Sequence, residues 1–472
     1  MRRLFLSVTA IAGAALVVSS QPLTTDVYGA ARVLPPQQQQ REFFLTLEGA
    51  GKNPRLAVPD FLVAGADADL AGAAKVLADV LWNDLDFERE FLMVPRKVSA
   101  GFPPTPADAL PIERWAEITD AVLVGSVSRN GDTLIAKVEI VSVRPTAPGQ
   151  RGFGAEYGNC RMQNPRFCAH SIADHIHKQV MNLDGVARTK LAFSSDRDGS
   201  RMAGRLTPGA STGKEVYLSD YDGANPFRMT VNRSLNIGPS WSPAGGFLAY
   251  TSYQSGSPDI YVVNLGQVGR APLRPAQGTD RVHNQMAAWS PDGTRLAFMS
   301  NRSGPNDIWI VNRDGTGLQN LTNSKSSSIS NWAPTWSPSG TQIAFGSDRQ
   351  GGKHLYVMNV NGTVPQRLAV GQDMDRPTWS REDFIAFTLA TGAGYDIALY
   401  DFGTRTVRIL TDGLGQNESP AVAPNGRHVA FVTTRWGRQE IATVNAAGGH
   451  IRRVTQTGNN TYPSWQPMSP LK

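Results

Sequence analysis

The sequence predicts a small α/β domain followed by an all-β six-bladed β-propeller closed by its own C-terminal strand. Three observations predict it: an Ala-centred strand motif that recurs along the chain, a Trp-led hairpin motif upstream of most copies, and an orphan Trp strand at the end. The strand motif reads Leu191-Ala192-Phe193, Leu248-Ala249-Tyr250, Leu296-Ala297-Phe298, Ile343-Ala344-Phe345, Ile385-Ala386-Phe387 and Val429-Ala430-Phe431. Its apolar positions alternate as a buried strand requires. A period of about 42 to 48 residues, with a longer first unit, is that of a propeller blade.

The hairpin motif reads Trp241-Ser242-Pro243-Ala244-Gly245, Trp289-Ser290-Pro291-Asp292-Gly293 and Trp336-Ser337-Pro338-Ser339-Gly340. It weakens to Trp379-Ser380-Arg381-Glu382-Asp383 and Val422-Ala423-Pro424-Asn425-Gly426. Proline presets φ at the first central position of a turn and glycine relieves strain at its end. The Trp before the turn fits a large anchor buried between blades. A third strand follows in Asp259-Ile260-Tyr261-Val262, Asp307-Ile308-Trp309-Ile310 and His354-Leu355-Tyr356-Val357, and a fourth ends near Leu321-Thr322, Ile409-Leu410-Thr411 and Arg453-Val454-Thr455.

The ends of the repeat predict closure. The copy at Leu191 has no Trp strand before it, and Tyr462-Pro463-Ser464-Trp465-Gln466-Pro467 has nothing after it. Joining them makes the C-terminal strand the innermost strand of the first blade and removes an open edge.

The N-terminal part reads differently. Arg2 and Arg3 precede an apolar run from Leu4 to Val18, too short to span a bilayer, so residues 1–20 read as a signal peptide with cleavage after Ser20 or as late as Ala30 or Ala31. Residues 21–52, with Pro35-Pro36 and a Gln run, read as a flexible arm. Residues 53–186 read as the α/β domain, and 187–472 as the propeller. Within the first, strands are expected at 55–63, 91–94, 121–127 and 133–143, with helices at 69–85, about 112–118 and about 169–181.

Several motifs invite chemistry. Net charge is +6, but the Lys and Arg residues are scattered without a basic run, which argues against a nucleic-acid partner. Gly209-Ala210-Ser211-Thr212-Gly213 fits a hydrolase nucleophile pattern, yet it falls in a loop between two blade strands rather than a strand–turn–helix. Cys168, His170, His175 and His177 cluster at spacings unsuited to one helical face. The expectation is a Cys160–Cys168 disulfide in an oxidising compartment, with exposed histidines and no metal. Recurrent acids such as Asp196, Asp198, Asp292, Asp307 and Asp348 read as turn and strand-start residues, with no acid/base couple among them. The segments entering the innermost strands stand out instead: Arg281-Val282-His283-Asn284, Asn331-Trp332, Asp375-Arg376, Asn417-Glu418 and Asn460-Thr461-Tyr462. They gather polar and aromatic side chains at one channel mouth, as a docking face would.

Together these features resemble the TolB family, the periplasmic propeller proteins of the Tol–Pal system. The more specific marks are His283-Asn284 before the Trp289 hairpin, Glu418-Ser419-Pro420 leading to Ala423-Pro424-Asn425-Gly426, and Tyr462-Pro463-Ser464-Trp465. The resemblance implies a non-catalytic periplasmic adaptor, without cofactor, that supports outer-membrane integrity and cell division. It implies that the channel mouth binds Pal, a lipoprotein that holds peptidoglycan, through His283 and Asn284. Trp332, Arg376, Glu418 and Tyr462 are carried over as further partner-binding residues. The N-terminal arm would engage TolA, membrane contact would be only indirect, and the protein is expected to be a monomer. The alternatives are a propeller-type periplasmic hydrolase, or a peptidoglycan- or sugar-binding propeller outside the Tol system.

Overall fold

Asp67 starts the first long helix, Ala68–Glu88, by accepting the Asp69 and Leu70 amides at 2.9 and 3.1 Å. This helix and a second, Pro165–Met181, cover one face of a sheet ordered Leu92–Met93, Arg55–Ala57, Ala121–Asn130, Thr133–Ser142, Arg151–Arg161. The first three strands run parallel and the last three form an antiparallel meander. Leu70, Leu77, Leu81 and Leu85 of the first helix pack with Ile172 and Ile176 of the second over Leu134, Val138 and Ile140. The chain is described from a computed structural model over residues 53–199, 213–267, 272–279, 281–368, 373–392 and 394–468. The expected signal peptide and arm, and residues 209–212 of the hydrolase-like pattern, lie outside those residues.

Two details differ from the sequence reading. The expected 55–63 strand is two, Arg55–Ala57 and Leu62–Val63, because Pro59 has no N–H to give a ladder. The strand Arg151–Arg161 carries no clear sequence signal, since Gly152, Gly154 and Gly158 dilute its alternation. A disulfide joins the end of that strand to the second helix through Cys160 and Cys168, with Cα atoms 5.4 Å apart.

Six antiparallel sheets form the propeller, and the C-terminal strand Asn460–Trp465 pairs with Lys190–Ser195 as the innermost strand of the first blade. Among the described residues, five blades have four strands. The second, Asn236–Trp241, Phe247–Ser252 and Asp259–Asn264, has three, with a single bridge from Val262 to Leu273. The hairpin tryptophans are blade anchors: Trp289 Nε1 donates to the Ser240 carbonyl at 3.0 Å and Trp336 Nε1 to that of Ala288 at 3.1 Å, each in the preceding blade. At the closure, Trp465 Nε1 donates to Thr189 Oγ1 at 2.7 Å.

A second interlock was hidden in the repeat. Asn236, Asn284, Asn331, Asn417 and Asn460 each open an innermost strand and are wholly buried. The first four donate to an acid of the preceding blade: Glu215, Asp259, Asp307 and Asp396. An arginine of the same blade then caps the amide oxygen, as Arg302 does for Asn284 at 3.0 Å and Arg349 for Asn331 at 2.7 Å.

The N-terminal domain rests on the strand ends that carry the Trp hairpins, at the sixth and first blades. Phe87 stacks on His428 at 4.1 Å and meets Tyr221 edge-on at 4.8 Å. Glu88 accepts from Val186 N, His428 Nε2 and Asn425, and Asp84 accepts from Tyr221 and bonds His170. This corrects the expectation of exposed histidines: His170 and His177 are buried, because the helix that carries them is covered by the first helix on one side and the propeller on the other.

Candidate functional site: the channel mouth away from the N-terminal domain

Each innermost strand carries the same irregularity. Its third residue takes a positive φ, between +48° and +59°: Gly238, Met286, Ala333, Arg376, Ser419 and Tyr462. Register shifts mark β-bulges at these positions in all six strands. Five of the six bulge residues precede a proline (Pro239, Pro334, Pro377, Pro420, Pro463), which suits a place where the ladder skips an N–H. Non-glycine residues pay about 1–2 kcal/mol each to adopt this backbone, so the ring is held by the packing of the blades. The bulges line a central cavity of about 250 Å³.

Arg376 and Tyr462 are the large polar side chains in this ring, and they meet across the channel. The guanidinium carbon lies 4.5 Å from the Tyr462 ring centroid, and Nη2 donates to the Tyr462 hydroxyl at 3.3 Å. The Asp375 carboxylate joins them to a neighbouring blade: one oxygen accepts from Arg376 N at 2.7 Å and from Trp332 Nε1 at 2.6 Å. Burial works against the Arg376 cation, but Tyr462, Asp375 and Glu418 more than offset it and hold its pKa above the ordinary arginine value. The Trp332 indole lies over Gly346, where an added Cβ would sit 2.4 Å from Nε1. Gly346→Ala is therefore expected to displace the indole while leaving the fold intact. The check is the Trp332 emission, taken as the difference from a Trp332→Phe background, with unchanged far-UV circular dichroism.

The remaining residues divide. Glu418 is half-buried on the rim, and its charge bears on Arg376. His283 is exposed on the same face, with its amide held by Asn301 Oδ1 at 2.7 Å, but no hydrogen bond joins it to the other rim residues. Asn284 is turned inward. It is 0% exposed and its amide is used at both ends, by Asp259 and Arg302, so it fixes the blade and does not offer its side chain to a partner. The repetition of Asn at this position was the available signal. Gly346 carries no signal in the sequence, and Asp375, named there only as part of the Asp375-Arg376 segment, shows its role in the rim only through Trp332, 43 residues away along the chain. Among the described residues no group of three or more His, Cys, Asp or Glu is placed to hold a metal.

Residues 184–469 match the family model described as the TolB beta propeller domain. The chain belongs to that family. Tol-Pal system protein TolB of Desulfosudis oleivorans is 31% identical over 217 residues, 44% of this chain and 45% of that protein. Its namesake in Bordetella pertussis is 30% identical over 262 residues, 54% of each. The chain thus spans about half the length of the curated relatives it matches. A crystal structure of TolB from Acinetobacter baumannii superposes with a TM-score of 0.70 at 20% identity, covering 88% of this chain and 97% of that one, so the TolB fold includes the N-terminal domain. No helix among the described residues is long and apolar enough to cross a membrane.

Proposed function

We propose that this protein is a non-catalytic periplasmic adaptor of a Tol–Pal envelope complex, and that its channel mouth binds a Pal-like, peptidoglycan-associated lipoprotein. In this reading it supports outer-membrane integrity and cell division, and a TolA-like inner-membrane protein engages residues 21–52. The observation that carries the reading is the rim. Trp332, Asp375, Arg376 and Tyr462 form one bonded array across three blades, on the propeller face that the N-terminal domain leaves open. Fixed aromatic and arginine side chains lose little entropy on binding, and they dominate the energetics of protein interfaces. Family membership and the similarity to Tol-Pal system proteins TolB support the Tol–Pal assignment.

Binding of the soluble domain of a Pal-like lipoprotein, measured by calorimetry, tests it. His283→Ala is expected to weaken the complex about tenfold, which is about 1.4 kcal/mol. Asn284→Ala would act instead through blade stability. Unchanged affinity after joint replacement of His283, Trp332, Arg376, Glu418 and Tyr462 would remove the proposed site.

A further inference from the structure

The two domains meet through buried ionisable groups, and one pair lies directly between the helices and the first blade. Asp84 and His170 approach to 2.8 Å with side chains 1% and 3% exposed. The blade supplies Tyr221, whose hydroxyl donates to the other Asp84 oxygen at 2.7 Å. His170 Nε2 is buried without a hydrogen-bond acceptor and faces Asp220 Oδ2 at 4.0 Å.

We propose that the Asp84–His170 pair is a proton-operated latch between the N-terminal domain and the propeller, closed while it holds its proton and released when alkaline pH removes it. The surrounding charges make the case. Asp84 on the first helix and Asp220 and Asp222 on the blade are negative. Arg166, on the same helix as His170, pairs with Asp222, and Lys190 pairs with Asp220 at 2.9 Å. Arg452 lies behind Phe87, bonded to Asn83. Around the pair itself, protonated His170 makes three cations against three anions. Loss of that proton leaves an uncompensated negative charge buried at the interface, which is costly in a dry contact.

The sign follows from the histidine. Burial works against its cation, but Asp84, Asp222 and Asp220 more than offset this and raise its pKa. Asp84 lies in the same domain as His170 and stays with it in either form, whereas Asp222 and Asp220 belong to the blade, so their approach is what makes the closed form bind the proton more tightly than the open form. The stabilisation is complete below the open-form histidine pKa and is lost as pH rises through the higher closed-form value. Two groups at the interface titrate in the opposite sense, Glu88, held down at about 2, and His177, at about 4. Burial raises the pKa of Asp84, Glu90 and Tyr221, which share the sign of His170, that of Tyr221 to well above its ordinary value. The His170→Gln and Asp84→Asn variants separate the pair from Glu90.

Energy transfer between dyes on Lys75→Cys and Val364→Cys, one exposed site on each domain, would test the latch between pH 5.5 and 9.5. The native cysteines stay paired in their disulfide. The ratio of open to closed protein is expected to rise by up to about tenfold per pH unit between the open-form and closed-form pKa of His170, the slope for one proton, and to level off above it. His170→Gln should abolish the slope. Asp84→Asn, which keeps an acceptor for Tyr221, should abolish it too and decides the matter if the first variant does not fold. A flat response in the unsubstituted interface, or an undiminished slope in Asp84→Asn, would overturn the proposal. Far-UV circular dichroism at each pH separates domain opening from unfolding.

Discussion

Trp465→Ala is expected to lower the stability of the propeller by about 3–5 kcal/mol, the range for removing a large buried aromatic side chain. Trp465 is almost wholly buried and sits in the core shared by the first and sixth blades and the N-terminal domain. It also leaves Thr189 Oγ1 without the indole donor. Its strand joins the two ends of the repeat, so weakening it frees the Lys190–Ser195 strand and the edge of the sixth blade together. Thermal denaturation should show a loss of roughly 10 °C. The comparison is Trp379→Ala in the fifth blade, where the Trp is only partly buried and the strand does not close the ring. Equal losses in the two variants would contradict a special role for the closure.

Glu88→Ala is expected to cost about 3–5 kcal/mol, because it removes the acceptor from a set of buried donors. Val186 N, Asn425 Nδ2 and His428 Nε2 all point at this carboxylate, and Arg427 Nη2 lies 3.6 Å from it. Burial opposes its charge, but His428, His177 and Arg427 together lower its pKa from 4.5 to about 2. A lowered carboxylate pKa contributes stability above the ordinary value and loses it as pH falls through the folded value. For Glu88 the window runs from about pH 4.5 down to about 2, and the shift corresponds to roughly 3 kcal/mol. His177 adds an earlier step. Its pKa is lowered by burial to about 4, so the unfolded chain takes up the proton first between its ordinary 6.5 and 4. Acid denaturation followed by near-UV circular dichroism should therefore weaken the domain contact in two stages, with Glu88→Gln losing only the lower one. A single stage, unchanged in that variant, would count against this assignment.

Together with the Asp84–His170 latch, these groups give the domain contact its full strength only between the acid range of Glu88 and His177 and the alkaline release of His170. The mouth lies at the opposite ends of the same blades: Tyr462 is on the closing strand of the first blade and Glu418 on the innermost strand of the sixth. Any movement of the N-terminal domain therefore bears on strands that carry rim residues.

What the sequence determined by itself was local and periodic. The Ala-centred strands, the Trp-Ser-Pro-x-Gly turns and the orphan strand at Tyr462–Pro467 were enough for six blades and their closure, since strand alternation and turn chemistry act over a few residues. The same logic failed where composition blurred the pattern, at the glycine-rich Arg151–Arg161 strand. The tertiary structure alone decided the rest. It buried Asn284 between Asp259 and Arg302, brought Arg376 to Tyr462 across 86 residues, and set Glu88 against His428 across 340. These contacts depend on how blades and domains stack, and a polar side chain looks the same in sequence whether it faces water or a buried partner. The fold was written in short-range patterning; the docking rim and the domain latch arise from long-range pairing of charges and hydrogen bonds.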